Sequence, residues 1–319
     1  MNVVVTGATS FIGAPLTKNL LDRGHRVFAV VRPGSANLKR LPKDCPNLTV
    51  IERNLEDLEQ IGSKIDVVCP WFFHLGWDGA GSDNRMKAPV QQKNAADSVK
   101  ALLGAKSLGC RRFLFSGSQA EYGISAKAMK ENMDCHPVSE YGKAKVDFLT
   151  QALALTKQWR EEGCSMEYLH ARIFSVYGPG DHPWSLVESC VRRFLAGEYI
   201  SLGECTQQWN FLYIDDLIRA LIRLMECEEA VSGIYNVAGE EKETRPLREY
   251  VRMIYETCGF HGSYSYGRRP PNAEGPANLI PSTEKIRSAT GWRPETDFKE
   301  GIRQLMGRKF AAGRPELSL

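Results

Sequence analysis

Short, almost continuously apolar segments alternate with segments of helical character through the first half of the chain. The apolar segments predict strands at Asn2–Thr6, His25–Val31, Leu48–Ile51, Trp71–Leu75, Arg112–Phe115 and Tyr168–Phe174. The segments between them predict helices at Ile12–Arg23, Lys93–Leu108 and Val138–Gln158. Apolar strands separated by helices are typical of a parallel sheet that is covered on both sides. The pattern therefore predicts an α/β fold of the Rossmann type, with a doubly wound parallel sheet.

The regular alternation breaks after Tyr177, where Gly, Pro and aromatic residues become frequent. Such a composition is typical of a smaller lobe of loops and short elements that covers a ligand. Three further elements are predicted in this part of the chain: Asp215–Glu226, Ile234–Ala238 and Phe298–Met306. We therefore expect a dinucleotide-binding domain at 1–176, to which 206–240 returns, and a C-terminal substrate-binding lobe at 177–319.

Composition narrows the class of protein. The 41 Lys and Arg residues exceed the 38 Asp and Glu residues by only three, and the basic residues are scattered, which argues against nucleic-acid binding. Nine dispersed cysteines without a C-x-x-C pair predict reduced thiols in a cytosolic protein and no metal site. No apolar run is long enough to span a bilayer, and Met1 leads directly into a strand instead of a signal peptide. We expect a cytoplasmic protein with no membrane partner.

A glycine-rich turn, T-G-A-T-S-F-I-G over 6–13, directly follows the first predicted strand. Gly7 suits a sharp turn, Gly13 suits close packing of helix on strand, and Ser10 stands between them. Backbone amides at such a helix start bind a dinucleotide pyrophosphate. The turn predicts cofactor contacts from Gly7, Thr9, Ser10, Phe11, Ile12 and Gly13.

The end of the second predicted strand bears on the choice of cofactor. An acidic residue here binds the ribose 2′-hydroxyl of NAD. The chain instead reads V-V-R-P over 30–33, without a carboxylate. Arg32 can hold a 2′-phosphate through its two-pronged guanidinium, or it is a solvated surface residue. The sequence favours NADP, with NAD as the alternative.

Tyr141 and Lys145 lie four residues apart in a predicted helix and therefore share one face of it. A carbonyl that accepts hydride develops negative charge on oxygen, so it needs a proton donor and a hydrogen-bonding hydroxyl nearby. A neighbouring ammonium lowers the pKa of a tyrosine toward neutrality. Ser118 follows the fifth predicted strand, at the edge where ligands bind in such sheets. These residues are the predicted catalytic set, although a Tyr–Lys pair alone is equally typical of a helix surface.

The segment 115–123 reads F-S-G-S-Q-A-E-Y-G and is similar to F-S-S-S-x-x-x-Y-G of the extended short-chain dehydrogenase/reductases, the NAD-dependent epimerase/dehydratase family. Together with the glycine turn and the Tyr–Lys pair, it makes most of the chain resemble this family, and in particular its nucleotide-sugar branch. The resemblance implies that Lys145 also holds the nicotinamide ribose. It implies further cofactor contacts from Asn54, Leu55, Leu75 and Gly76.

The resemblance also implies where a nucleotide sugar binds. Residues 172–180 resemble R-x-F-N-V-Y-G-P-G with Ser175 in place of Asn, and 209–215 resemble R-D-F-x-Y-V-D with Trp209 in place of Arg. An expected phosphate contact is therefore missing, and Arg268 or Arg269 is expected to supply it. The predicted substrate contacts are Trp77, Asp78, Gln119, Ser175, Trp209, Arg268 and Arg269. His74 is expected to be structural, and Asn94 to support the long helix or to cap it.

Dehydratases of this family carry Asp-Glu after the catalytic hydroxyl, where this chain has Gln119 and Ala120. Ala cannot transfer a proton, so dehydration is not expected. The segments at Ser118 and Trp209 resemble reductases of nucleotide-linked 4-keto-6-deoxyhexoses, and Arg32 favours the NADPH that a reductase consumes. The expectation is an NADPH-dependent 4-ketoreductase. The alternatives are an NAD-dependent nucleotide-sugar 4-epimerase, a reductase of a non-sugar ketone, and a non-catalytic cofactor-binding regulator.

The family commonly forms homodimers through its two long helices, so a homodimer is expected. Four apolar residues of these helices are candidates for the seam between subunits: Leu102, Leu103, Phe148 and Leu149. The same residues are also placed to face the sheet within one subunit.

Overall fold

The computed structural model describes residues 1–81, 84–269 and 277–312, with side chains of the last helix described as far as residue 307. With strands numbered in chain order, the central sheet contains β1 (Asn2–Thr6), β2 (Arg26–Val31), β3 (Leu48–Glu52), β4 (Trp71–His74), β5 (Arg112–Ser118), β6 (Glu167–Ile173) and β11 (Gly233–Val237). All neighbouring strands are parallel, in the order β11-β6-β5-β4-β1-β2-β3. The predicted Rossmann-type sheet is confirmed. β5 continues to Ser118, beyond its predicted end at Phe115.

The helices of the described chain are α1 (Gly13–Asp22), α2 (Ala88–Ser107), α3 (Glu140–Glu161), α4 (Leu186–Leu195), α5 (Ile214–Glu226), α6 (Leu247–Thr257), α7 (Glu284–Thr290) and α8 (Phe298–Ala312). Single turns of 3-10 helix lie at Ala36–Arg40, Gln119–Glu121 and Glu241–Glu243, and a longer stretch lies at Leu55–Ser63. The prediction that α2 begins at Lys93 was wrong. The helix begins earlier with Pro89 in its first turn, where the missing N–H of proline removes no helical hydrogen bond.

Alternate residues of each strand enter different cores. Val3 and Val5 of β1 pack with α1 and α5, whereas Val4 packs on the opposite face with α2 and α3. All three valines are completely buried. A strand buried on both faces must be apolar at every position, which explains the continuous apolar segments of the sequence.

The second half of the chain adds short strands outside the main sheet. β7 (Ser175–Tyr177) pairs with β10 (Phe211–Tyr213), β8 (Tyr199–Ser201) with β13 (Ser263–Ser265), and β9 (Gln208–Trp209) with β12 (Arg245–Pro246). Helices α4, α6 and α8 pack around them. The predicted helix and strand that return to the main sheet are α5 and β11, and β11 forms one edge of that sheet.

Three of the four apolar residues proposed for the subunit seam lie inside one subunit. Leu102, Phe148 and Leu149 are buried in the core between α2, α3 and the sheet, whereas Leu103 is only half-buried. The assignment of Leu102, Phe148 and Leu149 to a dimer seam was therefore wrong, because these side chains face the sheet of their own subunit.

Two further features of the chain are the state of its cysteines and the length of its helices. All nine cysteines are free thiols, and burial raises the pKa of the Cys69 thiol to about 11, so it is a poor nucleophile. No helix in the described ranges is long and apolar enough to cross a membrane.

Candidate active site

The glycine-rich turn brings three backbone segments into direct contact. Gly7 has a φ of +65°, and a Cβ on it would lie 2.9 Å from the backbone nitrogen of Gly76. A Cβ on Gly13 would lie 2.1 Å from the carbonyl oxygen of Gly7. Neither position has room for a side chain, so the first turn of α1 lies directly against the ends of β1 and β4. This cradle at a helix N-terminus fits the pyrophosphate of a dinucleotide.

The residue between the two glycines acts as a helix cap. The Ser10 hydroxyl accepts a hydrogen bond of 2.9 Å from the Gly13 N–H. This contact satisfies one of the free amides at the start of α1, and the hydroxyl proton stays available to a phosphate oxygen. Phe11 and Ile12 pack partly against the core, so their backbone, more than their side chains, is presented to a cofactor.

Polar and basic groups gather where β2 ends. Arg32 is exposed, and its guanidinium lies 3.5 Å from the Asp78 carboxylate. The Ser35 hydroxyl lies 3.5 Å from the Thr9 hydroxyl, and the Arg40 guanidinium donates to the Thr9 carbonyl at 3.5 Å. The sequence prediction missed Ser35 and Arg40, although a serine and a second arginine shortly after Arg32 were a readable signal. The end of β2 therefore carries two guanidiniums and two hydroxyls, with the Asp78 carboxylate beside one of the guanidiniums.

The residues expected beside the adenine end meet at the same sheet edge. Asn54 is exposed at the start of the 3-10 helix after β3. Leu55 packs on Gly76, where an added Cβ would lie 2.6 Å from its side chain. The Gly76 N–H donates to the Thr6 hydroxyl at 3.1 Å, and Leu75 is buried. The structure thus brings these four predicted residues to the ends of β1, β3 and β4.

Lys145 is enclosed by aromatic rings. Its Nζ donates to the Ser116 carbonyl oxygen at 2.6 Å and is almost completely buried. The same atom lies 3.9 Å from the Trp77 ring centroid, 4.4 Å from that of Phe115 and 5.4 Å from that of Tyr141. The two predicted catalytic residues of α3 are therefore neighbours across ring faces, where cation–π attraction favours the ammonium.

Burial controls the charge of Lys145. Burial lowers the pKa of the ammonium to about 7. The carboxylate of Glu121 raises this pKa, and the guanidinium of Arg85 lowers it. The ammonium is therefore present mainly at and below neutral pH. In that form it places a positive charge beside Tyr141, as the predicted chemistry requires.

Ser118 ends β5 and begins the next turn. Its hydroxyl accepts a hydrogen bond of 3.2 Å from the Ala120 N–H, and its own N–H donates to the Glu121 carboxylate at 2.7 Å. Both contacts form a capping box that holds the residue at the edge of the sheet. The Ser118 side chain is almost completely buried.

Tyr141 has a cationic neighbour that the sequence prediction missed. The guanidinium of Arg85 lies 4.1 Å from the Tyr141 ring centroid, and the Tyr141 N–H donates to the Arg85 carbonyl at 2.9 Å. Trp77 meets the same ring edge-on at 5.8 Å and donates to Gln91 at 2.8 Å. Trp77 thus packs on the predicted catalytic pair.

Two polar residues behind the catalytic pair are structural. His74 is completely buried between the hydroxyls of Thr6 and Ser98, at 2.7 and 3.1 Å, and burial lowers its pKa to about 3. It is therefore neutral. The Asn94 amide holds both backbone polar groups of Asp78, at 2.8 and 2.7 Å. Asn94 lies inside α2, so the suggestion that it caps the helix was wrong.

A cavity of about 710 Å³ lies between the catalytic edge and the second lobe, within the range of small-molecule sites. Gln119, Ser175, Trp209 and Arg269 line it, as predicted for substrate contacts. Trp77, Asp78 and Arg268 are not part of this lining, and Asp78 lies beside Arg32 instead. Arg269 is the one basic side chain among the described lining residues, which also include the acids Asp181 and Glu204.

Trp209 leaves a polar atom unsatisfied. Its Nε1 is buried and has no hydrogen-bond partner in the described part of the chain. The residue lines the cavity at the position where the family resemblance leads one to expect an arginine. The cavity therefore offers an indole in place of that positive charge.

The parallel sheet, the dinucleotide cradle and the Ser–Tyr–Lys set define an NAD(P)-dependent oxidoreductase of the extended short-chain dehydrogenase/reductase type. The family model of the NAD dependent epimerase/dehydratase family matches residues 3–238. The chain belongs to this family.

Similar proteins act on nucleotide sugars. An uncharacterized UDP-glucose epimerase of Bacillus subtilis, YtcB, is 25% identical over 315 residues, which cover 95% of this chain and 96% of the relative. The UDP-glucose 4-epimerase structure from Thermotoga maritima has a TM-score of 0.85 at 23% identity and covers 98% of this chain and 99% of its own. MoeE5, solved with UDP-glucuronic acid and NAD, has a TM-score of 0.85 at 24% identity, with 98% and 100% covered. The fold of this chain is therefore that of nucleotide-sugar enzymes.

Proposed function

We propose that the protein is an NADPH-dependent reductase that converts a nucleoside-diphosphate 4-keto-6-deoxy sugar into the 4-hydroxy sugar. The observation that carries the proposal is the rim after β2, where Arg32, Ser35 and Arg40 stand in place of the acid that binds NAD. A positively charged rim supports a cofactor with a 2′-phosphate. Reductases consume and exchange such a cofactor, whereas epimerases regenerate theirs within each cycle.

The catalytic residues supply the protein's part of the chemistry. Bound nicotinamide supplies the hydride to C4. Tyr141 donates a proton to the carbonyl oxygen, and the Ser118 hydroxyl hydrogen-bonds that oxygen as charge develops. The Lys145 ammonium keeps the phenol acidic enough to donate. The ketone, one hydride and one proton thus give the alcohol. Dehydration is not expected, because Gln119 and Ala120 provide no acid–base pair for it.

The lining of the cavity supports a nucleotide sugar as substrate. Its volume of about 710 Å³ suits a ligand of that size. Arg269 supplies a positive charge for the diphosphate, and Gln119 and Ser175 supply hydrogen bonds to a sugar. Trp209 and Phe211 offer ring faces to the base or sugar.

The second candidate is an NAD-dependent nucleotide-sugar 4-epimerase, and the comparisons favour it more than the reductase. YtcB is named as a UDP-glucose epimerase, and the neighbouring structures include a 4-epimerase and a protein with bound NAD. Bound NAD would take the hydride from C4 and return it to the other face, while Tyr141 would accept and return the hydroxyl proton with Ser118 and Lys145 beside it. The rim after β2 and the resemblance of the segments at Ser118 and Trp209 to ketoreductases weigh against this reading.

One experiment separates the two. In the first assay, NADPH absorbance is followed with a panel of nucleoside-diphosphate 4-keto-6-deoxy sugars. In the second, the products formed from UDP-glucose and UDP-galactose without added cofactor are analysed. The reductase predicts stoichiometric NADPH oxidation and no interconversion of the UDP-sugars. Interconversion without net NADPH consumption would establish the epimerase instead.

We also propose a homodimer through the faces of α2 and α3 that point away from the sheet. Apolar side chains on these faces are half-buried or exposed in the single subunit: Ala96, Val99, Leu103, Val146 and Leu153. Their spacing places each set on one side of its helix, and two-fold dimers are the commonest assemblies. Light scattering at micromolar concentration should give twice the 35.7 kDa mass, and Leu153→Glu should reduce it to the monomer. A monomeric wild type would refute the dimer.

A further inference from the structure

A buried ionic cluster lies directly beneath Ser118. Glu121, His170 and Arg172 are each exposed by 1% or less. Glu121 accepts from Arg172 Nε at 2.6 Å, from the Ser118 N–H at 2.7 Å, and from His170 Nε2 at 2.9 and 3.0 Å. Two segments far apart in sequence, the end of β5 with the turn after it and the strand β6, therefore converge on one carboxylate. Buried charges are rare unless they are paired, so this cluster calls for a role.

The cluster explains the glycine in the F-S-G-S segment. A Cβ on Gly117 would lie 2.3 Å from His170 Nε2 and 2.8 Å from Glu121 Oε1. The missing side chain thus makes room for the imidazole and the carboxylate. Gly117, Glu121 and His170 form one matched set, in which β5 supplies Gly117, the turn after it supplies Glu121, and β6 supplies His170.

The protonation of the cluster follows from its hydrogen bonds. Tyr168 lies 2.7 Å from His170 Nδ1, so its hydroxyl donates there and the Nε2 proton points to Glu121. Burial lowers the pKa of His170, which keeps the ring neutral. Burial alone would raise the pKa of Glu121, but His170 and Arg172 lower it to about 2. Glu121 is therefore a carboxylate at neutral pH.

Phe115 connects the cluster to the catalytic lysine. One side of its ring faces Lys145 Nζ at 4.4 Å, and the His170 ring lies 5.3 Å from its centroid. Lys145 also donates to the Ser116 carbonyl, next to the Gly117 that Glu121 abuts. An apolar ring screens a charge poorly, so the carboxylate acts on the ammonium across it.

We infer that Glu121 is a positioning residue for the catalytic set: its carboxylate fixes Ser118 through the backbone N–H and stabilises the ammonium form of Lys145 across Phe115. The inference rests on the catalytic role proposed for Ser118 and Lys145. Five titratable or charged groups surround Lys145: Glu121, Arg85, His74, His170 and Tyr141. Glu121 is the carboxylate among them, and it raises the pKa of Lys145, whereas Arg85 lowers it.

The test compares Glu121→Gln with wild type. Gln keeps an acceptor for the Ser118 N–H but removes the charge, so the pKa of Lys145 should fall. The Kd of NADPH or NADH, whichever binds more tightly, is measured by fluorescence from pH 5.5 to 9. Because the ammonium binds the ribose, the Kd of wild type should rise as Lys145 loses its proton. In Glu121→Gln this rise should occur at a pH lower by about one unit.

Glu167→Gln is the matched control. Glu167 also accepts a backbone N–H, from Ser232, and lies near Arg160, but it belongs to the opposite end of the sheet. Its variant should follow the wild-type pH profile. In turnover assays at pH 7.5, Glu121→Gln should lose about tenfold in kcat with KM changed less than twofold, since a positioning effect is expressed in the transition state.

A second variant keeps the test valid if Glu121→Gln unfolds. Glu121→Gln combined with Arg172→Met removes both buried charges and leaves neither unpaired, and it should show the same acid-ward shift. A cofactor profile that coincides with wild type in either folded variant would refute the role of Glu121. The binding assay needs no substrate, so an error in the proposed reaction would appear in turnover alone and leave this result interpretable.

Discussion

Two buried positive charges lie near the carboxyl end of β5, and their surroundings differ. Arg172 pairs with Glu121, and the pKa of its guanidinium is raised by that carboxylate in spite of burial. Lys145 has a carbonyl oxygen and ring faces around it, and burial lowers its pKa to about 7. The paired charge is fixed and supports the structure. The unpaired one can lose its proton near neutral pH, which is what acid–base chemistry needs.

The largest effect is expected on kcat, from a change at Tyr141 beside Lys145. Tyr141→Phe removes the proton donor and keeps the ring that packs on Trp77 and Arg85, so kcat should fall by about 10²–10⁴-fold. Cofactor affinity should stay within a factor of two to three. Steady-state kinetics and cofactor titration of the variant test this. A variant that retains most of its turnover would place the acid elsewhere.

The buried pair of Arg172 and Glu121 should contribute to the free energy of unfolding. Arg172→Met leaves Glu121 as an uncompensated buried carboxylate, which should lower the free energy of unfolding by about 3–5 kcal/mol. The exposed Arg252, which pairs with Glu256 at 3.7 Å, provides the control, and Arg252→Met should cost less than about 1 kcal/mol. Urea denaturation at pH 7.5 measures both. Equal losses in the two variants would remove the distinction between the paired and the surface charge.

Arg32 is an exposed charge that sharpens the comparison. We expect it to contribute to cofactor binding but not to the free energy of unfolding. Arg32→Ala should weaken NADPH binding by about 1.5–3 kcal/mol through loss of a charged phosphate contact. NADH affinity and unfolding free energy should be unchanged. Lys39→Ala is the control in the same segment. Equal wild-type affinities for NADPH and NADH would contradict the assignment of the rim to a 2′-phosphate.

The smallest expected effect concerns the unpaired lysine. Lys145→Met removes a buried ammonium, so at pH 6 the variant should unfold with a free energy higher by on the order of 1 kcal/mol, while turnover is lost. Wild-type Lys145 loses its proton at about pH 7 when folded and near its ordinary value when unfolded. Wild-type stability from this group therefore rises with pH above 7, and the gain should shrink between pH 7 and 10. A gain that does not vary with pH would show that packing, not charge, explains it.

The features of the site that lie within one segment of the chain could be predicted from the sequence. The glycine turn and the Tyr141–Lys145 pair depend on spacing within one strand, turn or helix, whereas the end of β5 was placed too early, at Phe115. The cluster of Glu121, His170 and Arg172 could not be predicted, because it joins the turn after β5 to β6, which lies about fifty residues further along the chain, and neither segment indicates the other. Leu102 and Phe148 show the same limit, since an apolar helix residue does not reveal whether it faces the sheet or a second subunit.

Gly117 also restricts the order in which this sequence can change. A serine there, as in the F-S-S-S form of the segment, would place its Cβ 2.3 Å from the His170 ring. The histidine must therefore shrink before residue 117 can grow, and Glu121 then loses a partner. The residues around Ser118 are thus coupled through space, and a larger residue at position 117 requires a change at His170 as well.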